Sequence, residues 1–190
     1  MLRNKKFLEN INISGVAPWK DENVSKITLN AAAPDFDLMD FGGEPVRLSD
    51  FRGRYNVLLV FNRGFTWPFC QQHMAQLRHD FAEFEKRHTQ VVVVGPENAQ
   101  AFQAYWDKHN LPFIGLPDPQ ARVLKLYGQE VNLFKLGRMP AQVIIDRQGQ
   151  ARYVHYGHSM SDIPDNNELF ELLDELNIME GNARWNFYKY

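Results

Sequence analysis

The sequence predicts an α/β fold with a mixed central sheet and helices on both faces. Residues Asn56–Phe61 form a largely apolar run of strand length, which is typical of a strand covered on both faces. A helix predicted to begin at Pro68 and a second buried strand at 91–94 complete a right-handed parallel crossover. Further along, strands predicted at 141–145 and 151–156 flank a short polar turn and form an antiparallel hairpin.

The remaining predicted elements cover the two sides of this sheet. After Pro68, apolar residues recur every three or four positions, as expected for one buried helix face: Cys70, Met74, Leu77, Phe81 and Phe84. A second helix is predicted from 98 to 109, a short strand at 111–116 and a brief helix from 119 to 126. The last helix is predicted at about 167–176, where leucines recur on one face.

The composition excludes several classes of protein. The chain has 190 residues, of which 44% are hydrophobic and 23% charged, and this balance excludes disordered, coiled-coil and low-complexity proteins. With 21 basic and 23 acidic residues the net charge is −2, so we expect no nucleic-acid partner. No run reaches the roughly 18 apolar residues of a membrane span, so no membrane is expected. The single cysteine excludes an intramolecular disulfide and a cysteine-rich zinc site.

The sequence contains no pattern that would hold a metal or another cofactor. The histidines other than His73 show neither ligand spacing nor a triad order, and Gly42-Gly43 is interpreted as a turn rather than a phosphate cradle. Cys70 and His73 would need two further metal ligands, which nothing nearby in the sequence supplies. We therefore expect neither a metal nor a cofactor.

The chain divides into a main domain and two flanking segments. Residues 1–30 are polar and weakly patterned, and we interpret them as an extension of a domain at 31–177. Residues 178–190 form an aromatic tail, which we expect to pack either on its own domain or on the other subunit of a homodimer. Because no continuous apolar stretch follows the basic residues near the N-terminus, no secretory signal is expected. We therefore expect a cytoplasmic location.

Six segments, in order along the chain, resemble one known family. They read APDFDL at 33–38, LSDFRG at 48–53, VLLVFNRG at 57–64, PFC at 68–70, GRMP at 137–140 and VIIDRQG at 143–149. The ordered set is similar to the peroxiredoxin-like branch of the thioredoxin superfamily, the group of alkyl hydroperoxide reductases and thiol-specific antioxidants. The resemblance covers residues from about 30 to 177 and implies a thioredoxin-like fold.

The resemblance implies a redox site at the start of the helix that begins with Pro68. In the family, the preceding loop ends in Cys-Pro-x-Cys; the first cysteine attacks the peroxide and becomes a sulfenic acid, which the second resolves to a disulfide. Here the matching residues are Trp67, Pro68, Phe69 and Cys70, so the resemblance places Trp67 at the nucleophile's position. A two-cysteine cycle within one chain then cannot run.

Two interpretations of Cys70 stay open. As a one-thiol nucleophile it would gain from the helix dipole and from His73, three residues further along the helix. As a structural residue it would point toward the sheet with the apolar stripe, and would stay protonated and inert. The pattern favours the inert interpretation, and it favours His73 as a half-exposed surface histidine rather than a base.

Four other residues are candidates for the cleft around this site. The resemblance places Arg63 and Arg138 beside it, where they would polarise a peroxide or stabilise a thiolate, although each could equally be a solvated arginine. Thr66 lies close to the position of the family's threonine but not at its spacing. Pro140 matches the cis-proline of thioredoxin folds, and its alternative is an ordinary trans proline at the start of a strand.

Two functions are therefore considered. The first is an antioxidant thiol peroxidase or thiol–disulfide oxidoreductase, impaired or reduced to one thiol, with Cys70 as nucleophile and Arg63 or Arg138 stabilising charge. An external thiol reductant such as thioredoxin or glutathione would then regenerate the sulfur. The second is a non-catalytic binding module, in which Trp67 offers a flat apolar contact to a partner or peptide.

Overall fold

The computed structural model of the chain describes residues 27–129, 131–132 and 137–187, with residues 132 and 180–187 described by their backbone alone. Most of the extension predicted at 1–30 therefore lies outside the described residues. Within the described part of the chain, no helix is both long enough and apolar enough to cross a membrane.

The strands of the described chain form one central sheet and two short hairpins. In chain order they are β1 (Asp37–Met39), β2 (Pro45–Arg47), β3 (Asn56–Phe61), β4 (Thr89–Gly95), β5 (Ile114–Pro117), β6 (Val131–Asn132), β7 (Gly137–Arg138), β8 (Ala141–Ile145) and β9 (Ala151–Tyr156). The central sheet has the order β5–β4–β3–β8–β9, while β1 pairs with β2 and β6 with β7. Strands β3, β4 and β5 are parallel, and β8 is antiparallel to both β3 and β9. This confirms the predicted mixed sheet.

Strand β3 lies at the centre of the sheet because its residues are apolar on both faces. All six residues of β3 are buried. Leu58 and Val60 point into one apolar cluster, and Val57, Leu59 and Phe61 point into the other. Alternating side chains of a strand point to opposite faces, so an uninterrupted apolar run requires a cover on each side.

The helices cover the two faces unequally. They are α1 (Pro68–His79), α2 (Phe81–Lys86), α3 (Ala99–His109), α4 (Arg122–Leu126) and α5 (Asn166–Phe187), and a short 3₁₀ helix spans Leu48–Phe51. One face packs under α1, α2, α3 and α5, through Met74, Phe84, Phe102 and Leu173 among others. The opposite face packs under β1, the 3₁₀ helix and α4, through Leu38, Leu48 and Leu124 among others. Helices on both faces are therefore confirmed.

The apolar stripe predicted for one helix after Pro68 is shared between two helices. Helix α1 ends at His79, and Asp80 (φ −96°, ψ 8°) separates it from α2. The Asp80 carboxylate accepts a hydrogen bond from Asn166 Nδ2 (2.8 Å) and lies 2.7 Å from His79 Nδ1. Leu77 and Phe84 are nevertheless both fully buried. The break therefore bends the path of the chain without moving the stripe away from the core.

The last helix is longer than its predicted range of 167–176. Helix α5 begins at Asn166 and continues to Phe187, so most of the segment interpreted as an aromatic tail carries on the helix. The side chains of its aromatic residues, Trp185, Phe187, Tyr188 and Tyr190, lie outside the described residues. Whether they pack on their own domain or on another subunit stays a prediction.

Candidate functional site

The loop between β3 and α1 is shaped by its own backbone. The Asn62 side-chain oxygen accepts a hydrogen bond from the Gly64 N–H (3.1 Å), and Gly64 has a φ of 141°. A Cβ atom on Gly64 would lie 3.0 Å from the Glu97 Oε1 atom and 3.3 Å from the Trp67 Cδ1 atom. Both the positive φ and the close neighbours favour glycine at position 64. Without a Cβ atom, the backbone of Gly64 can lie close to Trp67 at the start of α1.

Cys70 lies in the first turn of α1 and is only 3% exposed. Burial raises the pKa of its thiol above the ordinary value, and the charge of Glu97 acts in the same direction. The backbone N–H groups of Arg63 and Gly64 and the guanidinium of Arg63 oppose this shift, because each stabilises a negative sulfur. Because the effect of burial outweighs these stabilising groups, the Cys70 thiol is protonated near neutral pH. The prediction that Cys70 points inward agrees with this position.

Arg63 and Trp67 are stacked at the entrance to the helix. Arg63 is 5% exposed, and its Cζ atom lies 4.0 Å from the centre of the Trp67 ring, a cation–π geometry. Trp67 is the N-cap residue of α1 and is half-buried, while Phe69 is 42% exposed. Gln71 Nε2 donates to the Phe65 carbonyl (2.8 Å), which ties the loop to the helix. The guanidinium of Arg63 is therefore held over the Trp67 ring, near the first turn of α1 that carries Cys70.

Aromatic rings of α3 close the site on another side. The Phe65 ring stacks on Tyr105 with centroids 4.3 Å apart, and meets Phe102 edge-on at 4.8 Å. Burial raises the pKa of the Tyr105 hydroxyl, and the neighbouring Cys70 sulfur adds to this effect. The site is therefore enclosed largely by apolar side chains, in which an unpaired thiolate is disfavoured.

Two residues of the site were missed by the sequence reasoning. Glu97, just after β4, accepts a hydrogen bond from the Phe65 N–H through Oε1 (2.7 Å). Gln129 Nε2 lies within hydrogen-bond distance of the carbonyls of Phe61 (3.2 Å), Asn62 (3.3 Å) and Met139 (2.9 Å), to which it donates. It therefore joins the end of β3 to the segment that leads into β8. Glu97 could have been predicted from its position, because an acidic residue two positions after a buried strand lies at the edge of the sheet where sites often form.

The other predicted cleft residues are placed differently. Thr66 is exposed. Arg138 is half-buried; burial lowers the pKa of its guanidinium, and the negative charge of Asp118 opposes that shift. Pro140 is buried directly before β8, and the expectation of a cis bond is wrong, because no described peptide bond, including Met139–Pro140, is cis. Preceding the strand, Pro140 removes no hydrogen bond from the ladder, so the trans form fits there.

His73 is not the half-exposed histidine that the helix pattern suggested. It is 4% exposed, and its Nε2 atom lies 2.9 Å from Gln142 Nε2 of β8. Burial lowers the pKa of His73 to about 4, so the ring is neutral near pH 7 and its Nε2 can accept a hydrogen bond from the amide. Among the described residues, no group of three His, Cys, Asp or Glu side chains could hold a metal ion.

The fold and the thiol at the start of α1 define a peroxiredoxin-like protein of the thioredoxin superfamily. A family model described as the AhpC/TSA family matches residues 29–154, and the chain belongs to this family.

Relatives and solved structures agree with this assignment. Chloroplastic peroxiredoxin Q of Oryza sativa subsp. japonica is 30% identical over 132 residues, which are 68% of this chain and 59% of the relative. Peroxiredoxin Bcp of Bacillus subtilis (strain 168) is 29% identical over 129 residues, 65% of this chain and 82% of the relative. The chain thus spans about 59% of the length of the rice protein.

Among solved structures, the peroxidoxin BcpB of Mycobacterium tuberculosis has a TM-score of 0.69 at 20% identity, covering 79% of this chain and 98% of that one. A reduced 2-Cys peroxiredoxin of Plasmodium vivax has a TM-score of 0.70 at 18% identity, with coverages of 80% and 98%. At these identities the likeness shows the fold alone.

Proposed function

We propose that the protein is an antioxidant enzyme that reduces hydroperoxides through one thiol, that of Cys70. The observation that carries the proposal is the position of the sulfur in the first turn of α1, where the backbone N–H and the guanidinium of Arg63, and to a smaller extent the N–H of Gly64, favour a negative charge on it. These groups would stabilise a thiolate and the charge that develops on a peroxide oxygen. Membership of the AhpC/TSA family and the names of the relatives support this reaction class.

The proposed cycle needs an external reductant. The Cys70 thiolate attacks the nearer peroxide oxygen; an S–O bond forms, the O–O bond breaks, and the alkoxide leaves and takes up a proton to become an alcohol or water. The resulting sulfenic acid condenses with one external thiol, which gives a mixed disulfide and water. A second external thiol then displaces Cys70 and carries away the disulfide. Because the chain has a single cysteine, both thiols come from outside, for instance from thioredoxin or glutathione in a reducing cytoplasm.

The enclosed, protonated thiol makes the proposed enzyme slow at neutral pH. Only the thiolate attacks peroxide, and burial keeps the pKa of Cys70 above its ordinary value. Peroxide also has to reach a sulfur that is only 3% exposed, which lowers the rate further. We therefore expect a low but measurable rate of peroxide reduction, from a one-thiol form that has no resolving cysteine.

The pH dependence of peroxide consumption tests this proposal. The rate with excess dithiol should rise about tenfold per pH unit from neutral pH upward, because the thiolate fraction does so below the pKa. The sign follows from the raised pKa: an ordinary cysteine would level off at a lower pH than Cys70 does. A rate that stays at the reductant background at every pH at which the protein is folded would contradict the proposal.

A second candidate function rests on the surface at the start of α1. Phe69 is 42% exposed and lies two residues after the half-buried Trp67, so two large apolar rings are presented near the helix N-terminus. A binding module without catalysis would use this surface to contact a partner or an extended peptide. The requirement for the Cys70 sulfur distinguishes the two functions, because a binding module does not need it.

A further inference from the structure

The Glu97 carboxylate lies between Gly64 and Gly95, close to both. Its Oε1 atom would lie 3.0 Å from a Cβ on Gly64, and its Oε2 atom 3.0 Å from a Cβ on Gly95. A side chain at either glycine would therefore push the carboxylate out of its position. The segment around Glu97 is itself fixed, because Asn98 caps α3 by accepting a hydrogen bond from the Ala101 N–H (2.9 Å).

The two oxygens of Glu97 have different surroundings. Oε1 accepts the Phe65 N–H at 2.7 Å, whereas Oε2 is buried and has no hydrogen-bond partner among the described residues. A buried carboxylate oxygen without a donor costs stability, so this position calls for a functional reason. Oε1 also lies close to Gly64, whose backbone N–H is among the groups that favour a negative sulfur at Cys70. The carboxylate and the sulfur are thus neighbours of the same residue.

Charged and titratable groups face Cys70 from three elements. Arg63, from the loop after β3, favours a negative sulfur; Glu97, from the end of β4, opposes it; and Tyr105 faces the sulfur from α3. His73, on the same helix, is neutral and contacts Gln142 instead. Among the described residues that act on the sulfur, Glu97 is therefore the anionic one.

We infer that Glu97 is a positioning residue for Cys70, with one oxygen fixing the loop that faces the sulfur and its negative charge adding to the burial that disfavours a thiolate. The role in peroxide reduction rests on the proposed function, whereas the effect on the sulfur does not. Removing the charge while keeping the acceptor should make the thiolate easier to form without loosening the loop. Removing both should make the thiolate easier to form and also release the loop.

The experiment is the pH profile of Cys70 alkylation by the neutral reagent iodoacetamide, followed by intact mass. In Glu97→Gln the amide oxygen can still accept the Phe65 N–H, so the midpoint should move to lower pH. The rate at neutral pH should rise about threefold, because burial, the largest cause of the raised pKa, remains. Glu85→Gln, which removes the same charge from an exposed position, should follow the wild type. Glu97→Ala should also show the lower midpoint, and it tests the charge independently.

Each outcome decides a separate claim. Unchanged alkylation profiles in both Glu97 variants, or slower alkylation in Glu97→Gln, would overturn the role of Glu97. In the same variants, peroxide consumption should be faster for Glu97→Gln than for Glu97→Ala, because only the glutamine keeps the loop fixed. If the alkylation midpoint falls and neither variant consumes peroxide, the role of Glu97 stands and the proposed peroxidase function fails.

Discussion

Replacing Cys70 by serine is expected to lower peroxide consumption to the rate of the reductant alone. The chain has a single cysteine, and a hydroxyl in the same place is neither ionised near neutral pH nor oxidised by peroxide. No other side chain of the chain can therefore take over the cycle. The measurement is peroxide loss with excess dithiol, for the wild type and Cys70→Ser at the same protein concentration.

The serine variant needs evidence that the site is otherwise intact. Cys70 packs in the first turn of α1, so circular dichroism and thermal unfolding should show that the variant is folded. Gln72→Ala, an exposed change on the same helix, should keep the wild-type rate. Equal peroxide consumption by the wild type and Cys70→Ser would rule out a role for this sulfur and would favour the binding-module function.

A cysteine in place of Trp67 is expected to create a disulfide with Cys70. Trp67 is the N-cap residue and Cys70 the third residue of α1, the arrangement in which the side chains at a helix start approach each other. Mild oxidation with diamide should therefore remove both free thiols of Trp67→Cys and lower its intact mass by two hydrogens. This variant tests whether residue 67 occupies the place of a redox nucleophile, which the family resemblance predicts.

Phe69→Cys provides the matched control for this disulfide. Residue 69 is exposed and adjacent to Cys70, and neighbouring residues of a helix do not face each other, so both of its thiols should stay free. A folded Trp67→Cys that keeps two free thiols under the same oxidation would show that residue 67 does not face the sulfur. Cys70 would then have no partner position at the start of the helix.

The sequence predicts the sheet well because burial on both faces leaves a direct trace in it. The six residues of β3 and the β8–β9 hairpin fall at their predicted positions, since uninterrupted apolar runs and a turn define them. The break at Asp80 could not be predicted, because the apolar stripe continues from Leu77 to Phe84 across it. The contact that accompanies the break comes from Asn166, at the start of a helix far along the chain.

The candidate site is predictable only where its residues are close in sequence. Arg63, Trp67 and Cys70 lie within one loop and one helical turn, so the pattern of the chain brings them together. Glu97 reaches the same loop from the next strand, and its importance depends on which residue its carboxylate touches. The buried His73 contacts Gln142 of β8, 69 residues away along the chain, and helix periodicity alone does not reveal this contact.

Trapping the oxidised form of Cys70 would show directly whether this thiol reacts with peroxide. Wild-type protein is treated with a small excess of hydroperoxide in the presence of dimedone, which captures sulfenic acids, and the adduct is located by peptide mass. One dimedone adduct is expected, on Cys70, and it should form faster as the pH rises. Peroxide consumption without an adduct, or no adduct in native protein whose unfolded form is labelled, would contradict this expectation.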